Sequence, residues 1–119
     1  MMDDKFSPKT SIVETDLPET YNGKILMVAI TGESIGKMIC LRSGDLWHRE
    51  ILRNTQNEMI DLGFARSKVY QLGGACVRFE SSGNILIYGT SDDFGSCDKN
   101  LAAKLIKKKF PGKKIIVKE

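Results

Sequence analysis

Apolar residues along the chain recur at two spacings, and the spacing decides which element each run predicts. Lys24-Ile25-Leu26-Met27-Val28-Ala29-Ile30 is an almost unbroken apolar run of strand length. Such a run suits a strand covered on both faces. Lys37-Met38-Ile39-Cys40-Leu41, Val69-Tyr70-Gln71-Leu72, Ala75-Cys76-Val77-Arg78-Phe79, Asn84-Ile85-Leu86-Ile87-Tyr88 and Lys114-Ile115-Ile116-Val117 read as further strands, and a short strand is expected around Ile12-Val13. Ser81-Ser82-Gly83-Asn84 is a hairpin turn signal.

Helical spacing appears twice. Ile51, Thr55, Met59 and Ile60, with Leu52 beside them, form one stripe. That helix is expected to start near Asp45, capped by Ser43 or Asp45, and to stop at Leu62-Gly63, with Gly63 in a left-handed conformation. The second runs from about Asp98 to Lys109 and ends at Pro111-Gly112; Leu101, Ala102, Leu105 and Ile106 line its apolar side. The elements add up to an α/β (α+β) fold, a single mixed sheet of five to six strands with two main helices packed against it. Residues 1–11 are polar, carry Pro8, and read as a flexible arm before one domain over 12–119.

Composition narrows the chemistry. The 119 residues are 41% hydrophobic, enough for one core, and no apolar run is long enough for a membrane span. One histidine excludes zinc sites that need two imidazoles; three cysteines without a CxxC pair give no zinc ribbon, redox motif or disulfide framework. No metal or other cofactor is expected. Met1-Met2-Asp3-Asp4-Lys5 has no apolar signal core, and a reduced cytoplasmic setting is expected.

The formal charge of +3 is polarised. Residues 1–22 hold five acids against two lysines, whereas residues 98–119 hold eight lysines against two acids. The basic stretch lacks interleaved aromatics, which speaks against a nucleic-acid partner and for a solvated helix face.

His48 is the one imidazole, placed within the first turn of the first helix, where free N–H groups favour an anion. Lys24 heads the apolar strand; position alone favours an ordinary solvated strand terminus over a lysine that projects into a pocket and pairs with phosphate. Gly73-Gly74 inside a β-forming stretch means a bulge or a close backbone approach. Tyr88-Gly89-Thr90-Ser91-Asp92-Asp93-Phe94-Gly95 joins a strand to a helix without a Walker lysine. Cys40 and Cys76 fall inside strands as small buried residues. Cys97 precedes a helix start, where a thiolate is favoured, but it has no base near it in sequence.

These segments resemble the Janus/Ocnus family, whose best-known members are the protein phosphohistidine phosphatases. The resemblance rests on the order of motifs: Lys24 to Ile30; Trp47-His48-Arg49-Glu50-Ile51; Leu72-Gly73-Gly74; Ile87 to Gly95 as Tyr-Gly-x-Ser-x-x-aromatic-Gly; and a lysine-bearing helix ending at Lys109-Phe110-Pro111. It covers about residues 12–118. It implies metal-independent removal of the phosphoryl group from phosphohistidine in proteins. By the same resemblance His48 matches the essential histidine, as general base or nucleophile. Lys24 matches the phosphate-binding lysine, and Ser91 and the backbone of Asp93 match the loop that holds phosphate oxygens. Gly73 and Gly74 match the strand beside the pocket. Partners so implied are phosphohistidine-containing proteins, met by a monomer.

Three positions depart from the family pattern. Cys76 stands where arginine is common, and Arg78, on the same strand face, is the candidate substitute. Arg42 is the nearest match to an arginine upstream of the histidine. Asp92-Asp93 replaces uncharged residues. These departures motivate an alternative, a catalytically weak or inactive member that binds phosphate or an acidic partner.

Overall fold

The structure is a computed structural model and describes residues 12–33 and 35–118. The arm expected over residues 1–11 lies outside the described residues. Five strands and two helices follow one another as β1 (Gly23–Gly32), β2 (Gly36–Arg42), α1 (His48–Asp61), β3 (Lys68–Phe79), β4 (Asn84–Tyr88), α2 (Lys99–Lys109) and β5 (Lys114–Val117). They build one mixed sheet in the order β2-β1-β3-β4-β5. Every pairing is antiparallel except β4 with β5, which run parallel because α2 carries the chain across between them. This is the expected mixed sheet, with a helix on each face.

The apolar run in β1 explains the layering. Successive side chains on a strand point to opposite faces. Ile25 and Met27 enter one core with Ala75, Val77, Ile85 and Ile87, closed by Ala102, Leu105 and Ile106 of α2. Leu26, Val28 and Ile30 enter the other, closed by Ile51 and Met59 of α1. β1 therefore lies inside the sheet, between β2 and β3, with both faces covered. Ile60, expected within the helical stripe, is instead 57% exposed. It stands one residue past Met59, which turns it off the buried face.

The helix ends follow local hydrogen-bond chemistry. α1 stops in a Schellman motif: the Phe64 N–H reaches the Met59 carbonyl at 2.7 Å and the Gly63 N–H reaches Ile60 at 3.0 Å, with Gly63 at φ +93°. Its start differs from the sequence expectation by three residues. Asp45 Oδ1 accepts from the N–H groups of Leu46 and Trp47, closing a turn ahead of the helix, and Ser43 donates to the Asp16 carbonyl. Trp47 takes the N-cap position without a side-chain cap. α2 is capped as expected, with Asp98 accepting from the Leu101 N–H at 3.1 Å.

The segment before β1 lies along β2 through a single bridge, Thr15 with Leu41, in place of the short strand expected around Ile12-Val13. Lys109 secures it, donating to the carbonyls of Thr15 (3.1 Å) and Leu17 (3.0 Å). No helix among the described residues is long and apolar enough to cross a membrane.

Candidate functional site

The site grows out of an irregularity in β3. Gly74 pairs with Leu26 and Gln71 with Val28, so Leu72 and Gly73 together stand opposite Met27. This is a β-bulge, with Gly73 at φ +95°. The glycine pair also makes two close approaches. A Cβ on Gly73 would lie 2.6–2.7 Å from the backbone of Ser96 and Cys97. A Cβ on Gly74 would lie 2.4 Å from Cδ2 and 2.6 Å from Nε2 of His48. Both alternatives left open by the glycine pair are thus realised, and the second involves the only imidazole.

His48 is the first residue of α1 and 3% exposed. Its Nε2 lies 3.0 Å from the carbonyl of Ala75. A carbonyl only accepts, so Nε2 carries the proton and Nδ1 holds the lone pair of the neutral ring. Nδ1 has no hydrogen-bond partner among the described residues. With so little of the residue accessible, whatever reaches this ring arrives as a small group.

The loop after β4 is bound to the same point. β4 stops pairing with β3 at Tyr88 and Cys76, and residues 95–97 take over the next stretch of the edge. The Gly74 N–H donates to the Gly95 carbonyl (2.9 Å), and the Cys97 N–H donates to the Gly74 carbonyl (3.1 Å). Ser91 is buried, and its Oγ accepts from the Phe94 N–H at 3.1 Å, which closes the turn. Asp92 and Asp93 are exposed on that turn.

Two residues along the strands from Gly74 lies a cleft of about 450 Å³, lined by Tyr21, Lys24, Gly44, Asp45, Leu46 and Cys76; His48 is not part of its lining. Lys24 pairs with Cys76, two residues along the strands from Leu26 and Gly74. Two residues keep the same face and span about 7 Å. Lys24 and His48 are therefore neighbours on the α1 face of the sheet. Tyr21 spans the cleft floor: its O–H donates to the Lys24 carbonyl at 2.7 Å, and its oxygen accepts from the Gly44 N–H at 3.2 Å. Burial pushes the Tyr21 phenol above its ordinary range; the Gly44 N–H opposes this, and Cys76, Asp45 and Asp16 reinforce it.

The two arginines selected from sequence sit elsewhere. Arg42 is 5% exposed and bound to Glu58, to Asp16 at 3.5 Å and to the Val13 carbonyl at 3.2 Å. Its guanidinium fastens α1 and the N-terminal segment to β2. Arg78 shares the face of Cys76, but pairs with Glu80 at 3.5 Å and lies over the Tyr88 ring at 5.8 Å. Cys76 is only half-buried and lines the cleft, whereas the sequence suggested a buried packing residue. Cys97, expected to favour a thiolate, is buried in the α2-side core, and that burial pushes its thiol pKa up. Among the described residues no three His, Cys, Asp or Glu side chains gather as metal ligands.

A larger groove, about 860 Å³, lies between α2 and β5, lined by Lys104, Lys107, Lys108, Lys113 and Lys114 over Ile115. It is remote from the imidazole and offers positive charge alone. Tyr21 and the Ala75 carbonyl carry no signal in the sequence, since the Gly44 N–H that completes the tyrosine's pair of bonds and the imidazole that meets the carbonyl are each more than twenty residues away.

The sequence model described as Janus/Ocnus family (Ocnus) matches residues 11–114. No curated protein matches the chain.

Proposed function

The chain belongs to the Janus/Ocnus family, and from that premise we propose that it hydrolyses the P–N bond of phosphohistidine in proteins. The observation that carries this reading is the pinned imidazole: Nε2–H is held by the Ala75 carbonyl, which leaves the lone pair on Nδ1, and His48 shares its face of the sheet with Lys24. Phosphoryl transfer asks mainly for positioning and for charge against the equatorial oxygens. Lys24 supplies the cation. The His48 and Arg49 N–H groups, at the open end of α1, supply dipoles of the same sign.

In this reading Nδ1 takes either the phosphoryl group or the proton of the attacking water. In the first case a P–Nδ1 bond forms as the substrate P–N bond breaks, the departing imidazole takes up a proton, and water then cleaves the P–Nδ1 bond. In the second, water attacks phosphorus directly. Acid-labile phosphate trapped on His48 after rapid quenching distinguishes the two.

The test is hydrolysis of phosphoramidate and of a phosphohistidine peptide with chelator present. Wild type turns both over and His48→Ala does not; an active His48→Ala variant would sink the assignment. A second reading is favoured by the composition of the cleft. Cys76 stands opposite Lys24, and Asp45 lines the wall, so a single cation serves the site. A protein that binds phosphate and releases no product supports a binding module in place of an enzyme.

A further inference from the structure

β2 ends at Arg42, the partner of Leu26. Running that antiparallel register two residues further would set Gly44 opposite Lys24, with the Gly44 N–H facing the Lys24 carbonyl. The direct bond is not made. The Tyr21 hydroxyl stands between the two groups, donating to one and accepting from the other. A hydroxyl has one proton and two lone pairs, so it serves both at once. A ladder contact of about 2.9 Å is thus replaced by two bonds in series, of 2.7 and 3.2 Å. The strands part at this point, and the cleft opens between Lys24 and Gly44–Leu46.

The hydroxyl is held where it must be. The Tyr21 ring packs against the α2-side core. Gly23 leaves the space the phenol needs, since a Cβ there would lie 3.0 Å from the phenol oxygen. A phenol is protonated at neutral pH and therefore able to donate, and burial pushes it further in that direction.

We propose that the Tyr21 hydroxyl is a hydrogen-bonded spacer that holds the Lys24 wall of the cleft away from the Gly44–Leu46 wall, so that a phosphoryl group can enter. Tyr21 touches no reacting atom; it is a positioning residue. Its catalytic consequence rests on the hydrolase reading, whereas its effect on phosphate binding does not. Without the hydroxyl, the Gly44 N–H and the Lys24 carbonyl are left to bond to each other and draw the cleft shut.

Tyr21→Phe keeps the packed ring and removes only the spacer. The readouts are inorganic phosphate affinity by NMR titration, amide hydrogen exchange at Gly44, and KM and kcat with phosphoramidate. The expected result is at least tenfold weaker phosphate binding and at least tenfold slower Gly44 exchange. KM rises at least tenfold while kcat stays within threefold. Wild-type phosphate affinity and unchanged Gly44 exchange in the variant overturn the proposal. If wild type binds phosphate without turnover, the hydrolase reading fails, and binding and exchange still decide the role of Tyr21. A wild type without phosphate affinity overturns both. Should Tyr21→Phe not fold, Tyr21→Gln, which keeps a donor and an acceptor, is set against Tyr21→Met, which has neither. Equal phosphate affinity in that pair overturns the spacer.

Discussion

The His48 ring occupies the place that a side chain on Gly74 would take: a Cβ there would lie 2.4 Å from Cδ2 and 2.6 Å from Nε2. The imidazole lies flush against the sheet because residue 74 is glycine, and the next carbonyl, that of Ala75, is then in reach of Nε2. Gly74→Ala meets no φ strain, since its φ lies outside the left-handed region, though the Cβ would also lie 3.0 Å from the Ile25 carbonyl oxygen. The added methyl must push the ring away. A displacement near 1 Å costs on the order of a hundredfold in rate. The expected outcome is a hundredfold or greater fall in kcat on phosphoramidate, with a cooperative thermal transition retained. Unimpaired turnover in the alanine variant would contradict the placement of the ring.

Gly73→Ala acts differently. Here φ is +95°, and the intruding Cβ meets the backbone of Ser96 and Cys97, which cannot rotate aside. Strain of this kind costs about 1–3 kcal/mol. Thermal unfolding is expected to show a larger loss of stability for Gly73→Ala than for Gly74→Ala. The reverse order would show that loop 91–97 yields more easily than the imidazole.

Arg42 separates structure from chemistry. It is buried, and its ion pairs hold Glu58 of α1 and Asp16 of the N-terminal segment. Both carboxylates are partly exposed and regain water when the arginine is removed. Arg42→Ala is expected to cost about 1–3 kcal/mol of stability. Well below its melting temperature its kcat/KM should match wild type. A selective rise in KM with unchanged stability would return Arg42 to the phosphate.

The buried thiols set an alkaline limit. Burial pushes Cys40 up to about 11 from 9.0; nearby Arg42 opposes the shift, and Glu14 and Glu58 add to it. Cys97 shifts the same way. The folded state therefore keeps these protons to higher pH than the unfolded chain does. For Cys40 the contribution is complete below about pH 9 and is lost as pH rises towards about 11, with a slope of up to about 1.4 kcal/mol per pH unit; Cys97 acts in the same direction. Urea unfolding between pH 8 and 11 should show falling stability in wild type and a shallower fall in Cys40→Ala. Equal slopes would locate the sensitivity elsewhere.

Much of this architecture is legible from residue spacing. The run in β1 reads as a strand covered on both faces, and Ile25 and Met27 do part from Leu26, Val28 and Ile30 into two cores. β4 and β5 coincide with the expected strands residue for residue. The start of α1 is harder, because Asp45 spends on an isolated turn the same oxygen that would cap a helix. The cleft is harder still. Lys24, His48 and Gly74 stand out in sequence, but what joins them is a phenol oxygen and a main-chain carbonyl. Neither residue type nor periodicity reports where a carbonyl will point. Arg42 is drawn in only by the resemblance, as the nearest match to an arginine upstream of the histidine; Glu58, sixteen residues on, is the partner it takes.

The Lys109 ammonium joins α2 to the carbonyls of Thr15 and Leu17, contacts separated by 94 and 92 residues in the chain. Such a contact forms only after nearly everything between has been arranged, since closing so long a loop early gains nothing to offset its entropy. The seam between α2 and the N-terminal segment is therefore expected to close late, whereas the same segment meets β2 through the shorter-range Thr15–Leu41 bridge and the Asp16–Arg42 pair. Proteolysis and amide exchange where Lys109 meets the segment are expected to precede opening of the cleft.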